Sequence, residues 1–364
     1  MLKYLTKTPM NFVLIEDYYV KSETMLNAIK GSSLKINSVN SVYWGAVNKD
    51  DWAARQLNIE KNGPEADSYP LELNKYLKDC EILMVHFAPI SKELISKAQK
   101  LKLILTTRGG LENIDINACN MRNIPVINVI RNAIPVAEFT IGLMLSLTRN
   151  IGAASYYMMQ GKWINTFNNK GEIKTLQNSK IGLLGMGNIG IEMAKRLQPF
   201  CSNILVWDPF LDKDRLKANS IENITVCDTK EELFAESDIL SVHLRLTPKT
   251  KNIIDNNLIS LMKPKAYLIN TARGGLIDQE ALFEALVKNK LAGAALDVFE
   301  KEPFIFDNDK IKPDNLILTP HIAGTTEDAI KNSPYLLIKE LEKIILNDAK
   351  ERIVNLNELD TSVL

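Results

Sequence analysis

One short glycine-rich segment constrains the fold of this chain more than any other feature. Residues 185–190 read Gly-Met-Gly-Asn-Ile-Gly, a G-x-G-x-x-G pattern, directly after the apolar run 181–184. The residues that follow have helical character. In such a unit the first glycine permits a tight turn, the second lets the backbone approach a pyrophosphate, and the third lets helix and strand pack closely. Gly185, Gly187 and Gly190 therefore predict a strand–turn–helix unit that binds a dinucleotide at the helix N-terminus.

An acidic residue at the end of the next predicted strand favours NAD over NADP. Asp208 follows the apolar run 204–207. A carboxylate at this position accepts hydrogen bonds from the ribose hydroxyls and repels a 2′-phosphate. Two other interpretations stay open. Asp208 could merely start a turn with Pro209, and methyltransferases use a similar glycine loop with an acid after the second strand.

Apolar runs alternate with amphipathic stretches along the chain, which is typical of parallel βαβ units. In the second half, six runs read as strands and fit a complete doubly wound sheet: 180–184, 203–207, 239–243, 267–270, 294–298 and 316–319. In the first half, four runs read as strands: 12–15, 82–85, 103–105 and 126–128. Longer helices are predicted over 135–149 and 328–346. The last helix adds no strand, so we expect it to pack back on the first domain.

The composition is that of a globular protein with about two domains. The chain has 364 residues, of which 46% are apolar, and its 44 basic and 44 acidic residues cancel, which argues against a nucleic-acid partner. The four cysteines form no Cys-x-x-Cys pair and have no histidine at zinc-ligand spacing, so we expect buried thiols and no metal site. No apolar run approaches the ~18 residues of a membrane span. We therefore expect a cytoplasmic protein with no membrane partner.

Three residues at predicted strand ends are the candidates for chemistry. His321 lies at the carboxyl edge where open α/β sheets bind ligands. Arg273 follows another strand beside two glycines, where a guanidinium suits bidentate binding of a carboxylate. Glu302 precedes a proline that favours an extended backbone, and an acid beside a histidine would raise the pKa of the imidazole and fix its tautomer. His243 ends a predicted strand and His86 follows one, with a structural role as the alternative for both.

Taken together, these segments resemble the D-2-hydroxyacid dehydrogenase family, which includes D-lactate, D-phosphoglycerate and glyoxylate/hydroxypyruvate dehydrogenases. The resemblance runs from about Ile82 to Thr325, and its motifs follow the family's order. Besides the glycine loop they are the segments 101–104, 113–115, 136–138, 161–163, 271–275, 297–303 and 319–321. The resemblance implies an α/β protein of two Rossmann-like doubly wound domains. A discontinuous substrate domain would comprise residues 1–133 and 326–364, and the inserted NAD-binding domain residues 134–325.

The resemblance also implies roles for individual residues. The family's catalytic arginine, acid and histidine fall on Arg273, Glu302 and His321. Its substrate-binding positions fall on Arg108, Gly109, Gly110 and Arg273. Its cofactor-binding positions fall on Gly185, Gly187, Asn188, Ile189, Gly190, Asp208, Pro248, Thr271, Ala272, Arg273, Asp297, His321, Ala323 and Gly324. The sequence departs from the family at Arg245, where a proline is common, and over the poorly matching N-terminal segment of about 75 residues.

The implied activity is reversible hydride transfer between NAD and C2 of a small D-2-hydroxy or 2-oxo acid. A dinucleotide-sensing, corepressor-like binding protein on the same fold and a methyltransferase are the alternatives. The helix 135–149 resembles the segment through which family members dimerise, so we expect a homodimer. His86, Phe87 and Arg108 are candidates for substrate contact, with packing as an equal alternative. The sequence places no cationic cluster of the kind that a phosphorylated substrate needs.

Overall fold

The structure is a computed structural model that describes residues 2–46, 48–169, 173–306, 315–347 and 350–360, with only the backbone of Lys49. The chain divides into two compact units. Unit 1 comprises Met1–Asn132 and Thr326–Leu364, and unit 2 comprises Ala133–Thr325. Within the described ranges each unit is built on one parallel sheet with helical crossovers, as the alternation of apolar and amphipathic segments predicts.

Unit 1 contains a five-stranded parallel sheet within its described residues, in the spatial order β2-β1-β3-β4-β5. Its strands are β1 Met10–Glu16, β2 Ile36–Tyr43, β3 Ile82–Val85, β4 Leu103–Thr106 and β5 Val126–Asn128. Its α-helices are α1 Ser22–Lys30, α2 Lys49–Asn62, α3 Asn74–Leu77, α4 Lys92–Lys97, α5 Ile116–Met121 and, from the end of the chain, α13 Glu327–Asn347.

Helix α13 returns to unit 1, as predicted for the last helix. Its apolar face includes Leu337, Leu341 and Ile344, which are fully buried in the same core cluster as Phe12 and Leu14 of β1. These side chains recur at helical spacing, so a single face of the helix covers the sheet. The burial of this face explains how residues from both ends of the chain form one unit.

Unit 2 contains a seven-stranded parallel sheet within its described residues, in the order β12-β11-β10-β9-β6-β7-β8. Its strands are β6 Ile181–Leu184, β7 Ile204–Trp207, β8 Ile224–Val226, β9 Ile239–Val242, β10 Tyr267–Asn270, β11 Gly293–Leu296 and β12 Leu316–Leu318. Its α-helices are α6 Ala133–Thr148, α7 Ile151–Met159, α8 Asn188–Leu197, α9 Lys213–Ala218, α10 Lys230–Glu236, α11 Asn256–Leu261 and α12 Gln279–Val287. No helix in the described ranges is both long and apolar enough to cross a membrane.

The sequence analysis predicts neither β2 nor β8, and in this it was wrong. Both strands lie at sheet edges. Among the described residues, β2 pairs only with β1 and β8 only with β7. Strand β2 consists of Ile-Asn-Ser-Val-Asn-Ser-Val-Tyr, and β8 has three residues. One flank of an edge strand faces solvent, so the strand needs no continuous apolar run. The predicted strands 239–243 and 294–298 also end earlier than expected, which places His243 and Asp297 just beyond the sheet.

Candidate active site

The glycine loop of unit 2 has the geometry that its three glycines predict. Gly185 has a φ of +102°, and a Cβ there would lie 2.9 Å from the carbonyl oxygen of His243. A Cβ on Gly190 would collide with the carbonyl oxygen of Gly185. Gly187 differs, because its φ is −68° and no described atom outside the adjoining backbone lies within 4 Å of where its Cβ would stand. Two glycines therefore shape the loop, and the third leaves open space beside its backbone.

The N-terminus of α8 lacks a side-chain cap among the described residues, since its N-cap residue is Gly187. Helices α9, α10, α11 and α12 of the same unit are each preceded by an N-cap Asp or Thr whose side chain accepts a backbone N–H. No described side chain thus caps this N-terminus, and the helix dipole favours a negative charge beside it. Together with the open space at Gly187, this arrangement fits the pyrophosphate of a dinucleotide.

Asp208 is held beside this loop by the backbone. Its Oδ2 accepts the N–H of Met186 at 2.7 Å, and its Oδ1 accepts the N–H of Phe210 at 2.8 Å. Asp208 therefore starts a turn, which was the alternative interpretation, and its carboxylate also contacts the glycine loop. Nearby, Asn188 Oδ1 accepts a hydrogen bond from Arg215 at 2.6 Å.

Gly187→Ala is expected to weaken NADH binding at least about tenfold while lowering the melting temperature by no more than about 2 °C. The added methyl group meets no described residue outside the adjoining backbone, but it occupies the space that a pyrophosphate needs. Fluorescence titration with NADH and a thermal melt measure the two effects. Gly190→Ala is the matched control, because its methyl group collides with the loop and should also lower the melting temperature. Unchanged NADH affinity in Gly187→Ala would contradict the assignment of this loop.

His321 and Glu302 are in direct contact, which the sequence could not show. The imidazole Nδ1 lies 2.8 Å from Glu302 Oε2, and the two side chains are 48% and 36% exposed. The other carboxylate oxygen of Glu302 accepts the N–H of Phe299 at 3.0 Å, which fixes the carboxylate. Because Nδ1–H donates to Glu302, the Nε2 atom of His321 is the nitrogen left to face a ligand.

Asp297 holds the backbone turn that carries His321. Its buried carboxylate accepts the hydroxyl of Thr319 at 2.6 Å and the N–H groups of Ile322 at 3.0 Å and Ala323 at 2.9 Å. Its carbonyl oxygen accepts the N–H of His321 at 2.8 Å. His321 itself has a φ of +54°, a left-handed conformation that costs a residue with a Cβ about 1–2 kcal/mol. The hydrogen bonds of Asp297 stabilise this conformation and so fix where the imidazole begins.

Arg273 follows β10 with its side chain exposed. The Asn270 side chain fixes the loop, since it accepts the N–H of Ala272 and donates to the carbonyl oxygen of Arg273, each at 3.0 Å. The Arg273 guanidinium donates to the carbonyl oxygen of Ala272 at 2.7 Å. Thr271, just before Ala272, is buried, and its hydroxyl lies 2.8 Å from that of Thr140. The guanidinium is therefore accessible on a rigid backbone.

Gly274 connects the loop of Arg273 to the loop of Glu302. A Cβ on Gly274 would collide with the backbone of Phe299, the residue whose N–H binds the Glu302 carboxylate. Only glycine permits so close an approach of two backbones. The rings of Phe299 and Phe304 stack at 4.3 Å and further fix the segment that carries Glu302.

Burial separates His321 from the other two histidines, all three of which lie in the described ranges. Burial lowers the pKa of His243 to about 3, and its Nε2 lies 2.9 Å from the Ser241 hydroxyl. Burial also lowers the pKa of His86, whose Nδ1 lies 2.7 Å from Asp17 Oδ2. Neither buried ring suits proton exchange with a ligand at neutral pH. His321 alone combines an exposed ring with a carboxylate partner.

The other predicted site residues of unit 2 also follow strand ends. The glycine loop follows β6, Asp208 follows β7, and exposed Pro248 lies in the turn beyond β9. The remaining residues follow β10, β11 and β12: Thr271, Ala272, Arg273, Asp297, His321, Ala323 and Gly324. Because the sheet is parallel, all these strand ends share one edge. Structures of this kind bind ligands at that edge.

The predicted substrate loop lies in unit 1, directly after β4. Asn128 at the end of β5 donates to the carbonyl oxygen of Gly109 at 2.9 Å, which ties the loop to the next strand. Arg108 starts the loop, and Gly110 ends it. This loop also occupies the carboxyl edge of its own parallel sheet.

Comparison with known proteins places the chain in a family. Residues 141–323 match the family described as D-isomer specific 2-hydroxyacid dehydrogenase, NAD binding domain, and the match includes the glycine loop, Arg273, Glu302 and His321. A hydroxypyruvate reductase from Thermotoga maritima is 37% identical over 303 residues, which cover 80% of this chain and 95% of that protein.

Two further proteins are similar over most of the chain. A D-3-phosphoglycerate dehydrogenase from Methanocaldococcus jannaschii is 37% identical over 289 residues, or 78% of this chain, but the chain spans only 53% of that relative's length. The crystal structure of a D-lactate dehydrogenase from Aquifex aeolicus, complexed with NAD and lactic acid, has a TM-score of 0.62 and 26% identity, covering 94% of this chain and 99% of that one. The chain therefore belongs to the D-isomer specific 2-hydroxyacid dehydrogenase family.

Proposed function

We propose that this chain is an NAD-dependent oxidoreductase that transfers a hydride between NAD(H) and C2 of a small D-2-hydroxy or 2-oxo acid. The observation that carries the proposal is the exposed His321–Glu302 pair, on the same sheet edge as Arg273 and the uncapped glycine loop. The proteins compared above are a reductase and two dehydrogenases, which supports an oxidoreductase over the corepressor-like and methyltransferase alternatives.

Each unit has a proposed task. Unit 2 would hold NAD at the N-terminus of α8, beside Asn188 and Ile189, and through Asp208. Unit 1 would act as the substrate domain. Gly109 and Gly110 of unit 1, through their backbone, and Arg273 of unit 2 are each proposed as contacts of the substrate carboxylate. Asp297 keeps its own carboxylate engaged with the protein, so it would serve the cofactor by shaping the turn beside it.

In the proposed mechanism, the chain's own residues bind the substrate carboxylate and transfer one proton to or from the C2 oxygen. When bound, the nicotinamide ring supplies the hydride to C2 or takes it away. Arg273 binds the substrate carboxylate and polarises the C2 oxygen. His321, protonated at Nε2, donates that proton to the C2 oxygen during reduction, and in the reverse direction neutral His321 accepts the hydroxyl proton. The Glu302 carboxylate keeps the Nδ1–H of the imidazole oriented.

A panel of 2-oxo acids tests the proposal. We expect NADH to be oxidised on addition of at least one small 2-oxo acid, with the D-enantiomer of the 2-hydroxy acid as the product by chiral chromatography. Glyoxylate, whose product is achiral, and pyruvate, hydroxypyruvate and branched 2-oxo acids, whose products are chiral, sample substituents of increasing size on C2. NADH binding without turnover of any 2-oxo acid would favour a binding protein. Binding of S-adenosylmethionine in place of NADH would favour a methyltransferase.

We further infer a homodimer that forms through unit 2. Helix α7, which the structure describes in full, has no buried residue. Tyr156 is 61% exposed, Met159 86% and the nearby Trp163 82%, and apolar exposure on this scale marks an interface. Sedimentation velocity at micromolar concentration should show a dimer, and Met159→Lys should shift it toward monomer.

All four cysteines, each in the described ranges, are buried and unpaired, which favours a reducing compartment such as the cytoplasm.

A further inference from the structure

A half-buried arginine lies beside the glycine loop of unit 2, and the proposed reaction gives it no role. Arg215 belongs to α9, and its guanidinium donates to Oδ1 of Asn188 at 2.6 Å. Asn188 is the first residue of α8, directly after Gly187, which leaves open space beside its backbone. The positive charge is therefore one asparagine side chain and one hydrogen bond away from the start of α8, where a pyrophosphate fits.

Local contacts hold the backbone of Arg215 beside this loop. Its N–H donates to Oδ1 of the N-cap residue Asp212 at 3.0 Å, and its carbonyl oxygen accepts the side-chain amide of Asn219 at 2.8 Å. The next residue, Leu216, is buried in the same core cluster as Ile191 of α8. Because α9 and α8 share this core, the arginine begins from a fixed position relative to the loop.

Arg215 has no carboxylate partner among the described residues. Its guanidinium donates there to a single side-chain acceptor, the neutral amide of Asn188. Another cation of α9 differs, since Nζ of Lys217 lies 3.8 Å from Oδ1 of Asp214. An arginine offers five N–H donors in a planar fork. One hydrogen bond to a neutral amide therefore leaves the charge of Arg215 uncompensated and further donors for another partner.

The glycine loop needs a cation because it already holds an anion. Oδ2 of Asp208 accepts a backbone N–H of the loop at 2.7 Å. A pyrophosphate is also an anion, and like charges a few ångströms apart repel each other. The cations of α8 itself, Lys195 and Arg196, lie in its last turn, and both pair with Glu192. Arg215 is the residue placed to offset the charge of Asp208.

We propose that Arg215 supplies the positive charge that binds the pyrophosphate of the dinucleotide, and that the Asn188 side chain orients its guanidinium. This inference rests on the proposed function, because it assigns a residue to the cofactor site of the same reaction. A hydrogen bond from an arginine to a phosphate oxygen is stronger than one between neutral groups, and the planar fork suits two phosphate oxygens. The sequence analysis missed Arg215, which lies in the charged run Lys-Asp-Arg at the start of α9 and is there typical of a solvated helix.

Ligands that differ in their phosphates test this inference on the full chain. NADH and ADP-ribose both carry the pyrophosphate, whereas adenosine has no phosphate. We expect Arg215→Gln to weaken the binding of NADH, by fluorescence titration, and of ADP-ribose, by displacement of NADH, about 10- to 30-fold, and to leave adenosine within about threefold. Arg215→Lys, which keeps the charge but not the fork, should lose less affinity. The NADH affinity of Arg215→Gln should also depend less on salt concentration than that of the wild type.

Asn188→Ala tests the orienting role of the asparagine side chain. We expect NADH to bind about threefold more weakly to this variant, because the guanidinium keeps its charge but loses its hydrogen-bond acceptor. The double variant Asn188→Ala/Arg215→Gln should bind NADH no more weakly than Arg215→Gln alone, since the two side chains act as a unit. A thermal melt checks that each variant is folded.

Lys217→Gln is the matched control, since it removes one exposed positive charge from the same helix and should leave every affinity unchanged. Unchanged NADH affinity in Arg215→Gln, or an equal loss for adenosine and ADP-ribose, would overturn this inference and leave the proposed function standing. A loss confined to NADPH would assign the guanidinium to a 2′-phosphate and would overturn it as well. A wild-type protein that binds no NADH would instead overturn the proposed function.

Discussion

His321→Ala is expected to lower kcat by about 10²–10⁴ and to leave NADH affinity within about threefold of the wild-type value. The imidazole is the group placed to give a proton to the C2 oxygen, and no other histidine in the described ranges is exposed. Steady-state rates of NADH oxidation with the best 2-oxo acid, alongside fluorescence titration of NADH, separate the two effects. A thermal melt checks that the variant is folded.

Glu302→Gln provides the graded comparison for this prediction. Glutamine keeps an acceptor for the Nδ1–H of His321 but removes the negative charge, so we expect a fall of about tenfold, smaller than for His321→Ala. The pH profile of kcat/KM should also move in Glu302→Gln, which a purely structural role for this residue would not produce. Near wild-type turnover in His321→Ala would remove the imidazole from the mechanism.

Arg273→Gln is expected to lower kcat/KM for every 2-oxo acid by about 10²–10³, because the substrate carboxylate loses its paired cation. Glutamine is similar in length but carries neither the charge nor the fork of N–H donors. The loop should keep its shape, since Asn270 and Gly274 hold the backbone without the guanidinium. The measurement is the ratio of kcat/KM between variant and wild type across the substrate panel.

Two controls accompany Arg273→Gln. Arg273→Lys keeps the charge but cannot form the bidentate contact, so it should lie between the wild type and Arg273→Gln. Arg149→Gln removes an exposed arginine from the same unit at a distance from these loops in sequence, and should have little effect. A loss in Arg273→Gln that appears only in NADH affinity would assign the guanidinium to the cofactor and not to the substrate.

The central strands were predictable because burial on both faces forces continuous apolar sequence. Ile-Leu-Met-Val in β3 and Ile-Gly-Leu-Leu in β6 are fully buried. The edge strands β2 and β8 were not predictable in this way, since solvent replaces one neighbour and polar residues are tolerated. The helix at the end of the chain was predictable from its spacing, because a single apolar face has to cover a sheet.

The positions of Arg273, Glu302 and His321 were predictable for a topological reason. In a parallel sheet every strand delivers the residue that follows it to the same edge. The contact between His321 and Glu302 was not predictable, because it depends on the hydrogen bonds of Asp297 and on the fit of Gly274 against Phe299. No sequence periodicity encodes loop contacts of this kind.

The surroundings of Arg131 could not be predicted from the sequence. In the sequence it is a single arginine after a short apolar run, which is typical of a solvated loop. The fold brings it to the same sheet edge as Arg108, His86 and Asp17, which follow other strands. The available signal was a charged residue within three residues of the end of a predicted strand. This signal becomes informative only when neighbouring strands are followed by such residues too.

The most direct measurement of the central claim is a crystal structure of the protein with NADH and oxamate, an unreactive analogue of a 2-oxo acid. We predict that the oxamate carboxylate lies within hydrogen-bond distance of the Arg273 guanidinium and that the amide oxygen lies about 2.6–3.2 Å from His321 Nε2, with Glu302 still on Nδ1. Oxamate bound with neither Arg273 nor His321 in contact, while NADH occupies the glycine loop, would contradict the mechanism proposed for this chain.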